Sequence, residues 1–147
     1  MKLAVRLLVA VVCVSGTAGR VASAQVAYNE GPVERVVLLS ITPGHGTDLL
    51  ADLKKNTVPL WEAEKKAGLI VSYQIFSNMT SASPGDWDIG YSITYKNMAA
   101  LDGLADKVYP LRIEHYGDKD KDRDAMLKRV ENAHVVSSML IRDITLR

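Results

Sequence analysis

Cysteine is all but absent from this chain of 147 residues: the single one, Cys13, lies near the N-terminus. The body of the protein therefore has neither a disulfide framework nor a cysteine nucleophile. An excess of charge is missing too. The 18 basic and 17 acidic residues nearly balance, which argues against a nucleic-acid partner. Also lacking are the short signatures of familiar chemistries. There is no Gly-x-Ser-x-Gly, no His-Glu-x-x-His, no phosphate-binding glycine-rich loop and no paired Cys or His spacing for zinc. No metal and no cofactor is expected. Nor is there a long apolar run: Leu7 to Val14 falls well short of the roughly 20 residues that span a bilayer.

That short run has a different meaning. Lys2 and Arg6 precede it, and Val21-Ala22-Ser23-Ala24 supplies the small residues of a cleavage site before Gln25. Residues 1–24 are expected to be a signal peptide, which places the mature chain in the periplasm or outside the cell with no remaining membrane attachment. Cys13 follows Val11-Val12 and lacks the small neighbour of a lipid-attachment site. Removing Lys2, Arg6 and Arg20 with the leader leaves 15 basic against 17 acidic residues, a net charge of −2, on 123 residues. That length is one domain. Residues 25–33 read as a flexible lead-in, broken by Gly31-Pro32, and 34–147 as a single domain.

Within the domain the periodicities alternate. Glu34 to Thr42 reads as a strand, followed by the turn Pro43-Gly44-His45-Gly46. A helix to about Lys66 shows Leu49, Leu50, Leu53, Thr57/Val58, Leu60 and Trp61 on one face. Pro59 predicts a kink inside it, and Gly68 its end. Leu69 to Ser77 is a second strand, joined through Asn78–Gly85 to a third. In that third strand Trp87, Ile89, Tyr91, Ile93 and Tyr95 occupy every second position. Asn97 is placed to cap a helix carrying Met98, Leu101, Leu104 and Val108. Pro110 predicts a break, Leu111–Gly117 has no clear pattern, and Asp118–Ala133 is helical in its second half. Val135 to Thr145 is the last strand.

The order is β-α-β-β-α-β, a ferredoxin-like α+β arrangement: one four-stranded antiparallel sheet with helices on one face. The other face would carry Val37, Leu39, Ile41, Val135, Met139 and Ile141, too apolar to stay wet. A homodimer joined through these open faces would cover it. Four stretches, Val36–Gly44, Trp61–Tyr73, Trp87–Leu104 and Val136–Ile144, resemble the dimeric α/β-barrel superfamily. That group includes antibiotic-biosynthesis monooxygenase-like, stress-responsive and NIPSNAP-type domains, and the chain is most similar to exported bacterial members of unassigned role. The resemblance implies the fold and the dimer. Its members include cofactor-free oxygenases, haem-degrading and haem-ligating enzymes, and small-molecule-binding or structural proteins. It therefore singles out no activity.

Candidate ligand-binding residues are His45, Trp61, Tyr73, Trp87, Tyr91 and His115. The aromatic set would line an apolar cleft for a small hydrophobic or aromatic molecule, with His45 or His115 as a base. A phenol or quinol deprotonated there could pass an electron to oxygen without a metal, the chemistry of a cofactor-independent monooxygenase. Burial under the helices explains the same aromatic stripe without any ligand. A haem protein would use His115 as axial ligand with Arg112 near a propionate. Gly90, Ser92 and Thr94, with Ser72, Gln74 and Ser138, would form a small, mildly polar lining inside the barrel. Asp118 to Asp124 alternates acids and bases; a calcium loop starting there would need Gly and Glu where Arg123 and Arg129 stand. It reads as a self-compensating, solvated helix start.

Overall fold

The computed structural model describes residues 27–80, 83 and 86–147; the expected leader lies outside them. Strand β1 (Tyr28–Ile41) is followed by helix α1 (Gly46–Asp52), a π-helical turn (Leu53–Thr57) and helix α2 (Val58–Lys66). Strands β2 (Ser72–Ser77) and β3 (Ile89–Tyr95) come next. After them stand a 3₁₀ turn (Met98–Leu101), helices α3 (Leu104–Tyr116) and α4 (Lys119–Asn132), and strand β4 (Ala133–Leu146). The sheet is antiparallel throughout in the order β2-β3-β1-β4. With the helices on one side, this is the ferredoxin-like fold.

Pairing fixes which side each residue takes. Val33, Arg35, Val37 and Leu39 of β1 stand opposite Tyr95, Ile93, Tyr91 and Ile89 of β3, and cross-strand partners share a face. That face lies under the helices. Val37, Leu39 and Ile89 pack with Leu49 and Leu53, while Ile93 and Tyr95 pack with Trp61 and Ile70. The expectation that Val37, Leu39, Ile41 and Val135 look outward is thus overturned. Strict alternation puts Val36 and Leu38 on the open face, opposite Met139 and Ser137. The near-continuous apolar run of β1 hid this phase.

One extra residue in β4 resets its phase. Leu38 pairs with Ser137 but Leu39 with Val135, so Val136 is a bulge. As a result Ser138 pairs with Val37 on the helical side instead of joining the open face, and Val135 lies beside Leu39. Met139 and Ile141 do face outward, opposite Val36 and Glu34, and are 41% and 42% exposed. Gly90 also lies on the open face, opposite Leu38 and Phe76. A Cβ there would meet the Phe76 ring at 2.4 Å and Leu38 Cδ2 at 2.9 Å, so only glycine lets both side chains fold across the strand.

Other local expectations shift as well. The segment 28–33 is already strand, paired with Arg142–Leu146, because β4 supplies a partner that the local sequence does not reveal. The kink foreseen at Pro59 takes the form of the π turn, in which the Val58 N–H bonds to the Leu53 carbonyl. Proline without an N–H tolerates this widened turn at the start of α2. Gly68 ends α2 at φ +72°, with the Leu69 N–H closing on the Glu64 carbonyl. Asn97 caps the 3₁₀ turn, accepting the Ala100 N–H at 3.1 Å, and α3 starts afresh after Gly103. Pro110 sits inside α3 without ending it. Asp118 caps α4 by accepting the Asp120 and Lys121 N–H groups at 3.0 and 2.8 Å. These bonds, first that from Lys121, hold its carboxyl below the usual range.

Candidate functional site

Among the described residues, two cavities that reach the sheet stand out, and both lie on its helical side. The larger, about 380 Å³, opens between β1, β3, α2, the 3₁₀ turn and α3. Trp61, Ile93, Leu101, Leu104 and Val108 give it apolar walls; Arg35, Glu64 and Tyr95 give it polar ones. Trp61 is buried and meets Tyr91 and Tyr73 at tilts of 50° and 42°, with ring centroids 5.0 Å apart in each pair. Tyr73 is anchored from the other side, donating to Glu62 Oε1 at 2.6 Å.

Glu64 is the unusual member. Only 6% of it is exposed, and its carboxylate receives no hydrogen bond from any described residue; the group opens on the cleft and is not sealed in the core. Burial pushes its carboxyl up from the ordinary value, and the charge of Arg112 only partly opposes this. Arg112 is itself committed: Nε and Nη2 reach Asp122 Oδ1 at 3.0 and 2.8 Å, and Nη2 reaches Oδ2 at 2.7 Å. Tyr95, almost wholly buried beside this cleft, has its phenol pushed up by desolvation, with Arg35 opposing and Glu64 adding to the shift. The cleft thus brings together a carboxyl seeking a proton or a donor, a neutral phenol and a guanidinium, among aromatic walls.

The smaller cavity, about 220 Å³, lies under the π turn and α4. Leu39, Leu53, Tyr91 and Ala133 form its floor and sides, with Thr57 and Arg129 as its other polar members. Arg129 Nε donates to Asp52 Oδ2 at 2.7 Å and Nη2 to Tyr116 at 3.4 Å. Burial works against its charge, but these two partners more than compensate. Tyr91 is pushed up by burial, with Arg129 and Arg35 opposing. The tilted pair Trp61–Tyr91 contributes one ring to each cavity.

Of the residues singled out from sequence, Trp61, Tyr73 and Tyr91 are brought together as one aromatic cluster. The others are not. His45 stands before α1, its Nδ1 3.0 Å from Asn132 Oδ1, and ties that turn to the end of α4. Trp87 lies ahead of β3 and meets Phe76 edge-on at 5.6 Å, so it leaves the stripe begun by Ile89. His115 packs edge-on against Tyr116 at 4.7 Å in shallow grooves among the helices. Arg112, the proposed propionate partner, is occupied by Asp122. Asp122 also corrects the solvated reading of Asp118–Asp124: it is buried, while Lys121 and Arg123 pair with Asp118 and Asp120 at 3.1 and 3.2 Å as expected of a self-compensating run. Glu64, Arg35, Thr57 and Arg129 were missed, whereas Tyr95, part of the aromatic stripe considered for a cleft, does stand beside it. For Glu64 a signal existed, since it lies three residues after Trp61 and shares its helix face.

Comparison with known proteins adds fold-level likeness only. No family model matches the chain, and no curated protein matches it in sequence. Among solved structures, it is similar to a dimeric ferredoxin-like protein from an uncultured marine organism. The two are 14% identical with a TM-score of 0.49, over 81% of this chain and 98% of that one. A dimeric ferredoxin-like protein of unknown function from Jannaschia sp. CCS1 gives 12% identity and a TM-score of 0.45, over 77% and 98%. HapK from Hahella chejuensis gives 10% and 0.45, over 76% and 91%.

Proposed function

We propose that this protein is an exported homodimer that binds a small aromatic molecule carrying a hydroxyl group, in the cleft of Trp61 and Glu64. The observation that carries the reading is Glu64, a residue only 6% exposed whose carboxyl has no hydrogen-bond donor among the described residues and which lines a cleft of about 380 Å³. A phenolic O–H supplies the missing donor while its ring packs against Trp61 and Leu104. The volume falls within the range of about 300–1,000 Å³ usual for small-molecule sites. Dimerisation follows from the open sheet face, where Val36, Leu38, Met139 and Ile141 have no covering layer in the single chain. Export rests on residues 1–24, and N-terminal sequencing of periplasmic protein starting at Gln25 would support it.

The test of the site is a fluorescence titration of the W87F variant, which leaves Trp61 as the only tryptophan, with a series of naphthols. Saturable quenching that is lost in E64A and absent for naphthalene is expected. Quenching that is equal for naphthol and naphthalene, or none at all, would overturn the reading. A second reading, cofactor-independent monooxygenation, is favoured by the same carboxyl, whose raised proton affinity suits a general base. It requires oxygen uptake with quinols above buffer, reduced in E64Q.

A further inference from the structure

The geometry points to the smaller cavity under the π turn as a second binding site, one for a small neutral molecule with an apolar body and a carbonyl-type acceptor oxygen.

Thr57 provides the first reason. It is 7% exposed, lines this cavity, and its Oγ1 has no hydrogen-bond partner. A buried threonine in a helix ordinarily bonds its hydroxyl to the carbonyl one turn earlier. Here that carbonyl, of Leu53, takes the Val58 N–H of the π turn. The hydroxyl makes no bond to it, and leaving a buried hydroxyl without a partner carries a cost that a bound acceptor reaching it would remove.

Arg129 provides the second. Its guanidinium is fixed in advance by Asp52 and Tyr116, and Asp52 balances its charge. A charged ligand therefore gains little, whereas a neutral acceptor meets a preoriented donor. Tyr91 makes no hydrogen bond with any described residue, and its buried phenol keeps its proton. Thr57, Arg129 and Tyr91 together offer donors but no unshared carboxylate, so the complementary ligand group is an acceptor oxygen.

The entrance provides the third. Met126, Val130 and Val135 line the cavity and are 47%, 70% and 59% exposed. An apolar rim on a helix face that should be polar is an entry suited to an apolar body. This site shares no lining residue with the Glu64 cleft, although a groove lined by Glu64, Val108, Met126 and Arg129 runs beside both.

The probe pair is cyclohexanone and its isosteric hydrocarbon methylenecyclohexane, followed by amide chemical shifts of the full mature chain. Cyclohexanone is expected to shift Thr57, Val130 and Ala133 saturably and to leave Leu104 and Val108 unmoved. T57V should weaken cyclohexanone about fivefold, the worth of one neutral hydrogen bond, without weakening the hydrocarbon. V130W, placed at the exposed rim and outside the core, should abolish both. Shifts confined to Leu104 and Val108, no saturable shift, or a T57V variant that binds both probes as the wild type does would each overturn the proposal.

Discussion

Glu64 keeps its proton to higher pH in the folded chain than its ordinary value of 4.5, because burial penalises the charge more than Arg112 favours it. Above that ordinary value the unfolded chain loses this proton first. The folded state then binds more protons than the unfolded one, and stability falls as pH rises through the interval between the two values. Glutamine does not titrate. E64Q is therefore expected to be more stable than the wild type at pH 7, with the difference shrinking towards pH 4, as read by urea midpoints across pH. A constant difference would mean that the carboxyl is solvated. None of this was visible in the charge pattern alone. Glu62, Lys65 and Lys66 surround Glu64 in sequence, and only the helical phase set by Trp61 separates it from them. The same holds for Asp122, which one-residue alternation of charge disguised as a surface residue.

At the level of elements, the alternating strands were legible because period-2 patterning survives in β3, where each outward position is small or polar. It failed in β1, which is apolar at adjacent positions, so the two faces could be told apart only through pairing. Bulges and π turns leave still less trace, since one added residue alters geometry without altering composition. Pro59 was the sole hint of the π turn. Gly90 shows how strongly an element can depend on one side chain's absence. Because Phe76 and Leu38 lie across it, G90A should destabilise the protein by about 1–3 kcal/mol through forced repacking, measured by thermal or denaturant unfolding. G90A paired with F76A should lose less than the sum of the two single changes, since the clash disappears with the ring.

For the whole molecule, the decisive surface is the uncovered side of the sheet. Single-sided sheets with apolar residues outward need a second layer, and a copy of the chain would supply a matching one by symmetry. M139K together with I141K puts like charges where two apolar sheets would meet. The double variant is expected to run as a monomer in light scattering, while the wild type runs as a dimer at micromolar concentration. A wild-type monomer would refute the association directly. Both cavities lie on the far side of the sheet from this surface, so loss of the dimer should leave the shape of each pocket intact. The two irregularities in the β1–β4 pairing, at Gly31-Pro32 and at Val136, have a consequence of their own. A fourteen-residue strand at a sheet's rim would otherwise be free to creep along its neighbour, and every one-step slip would turn its greasy side the wrong way. With an extra residue on β1 near one end and on β4 near the other, only one alignment fits both offsets, so the strand is keyed into place like a notched rule.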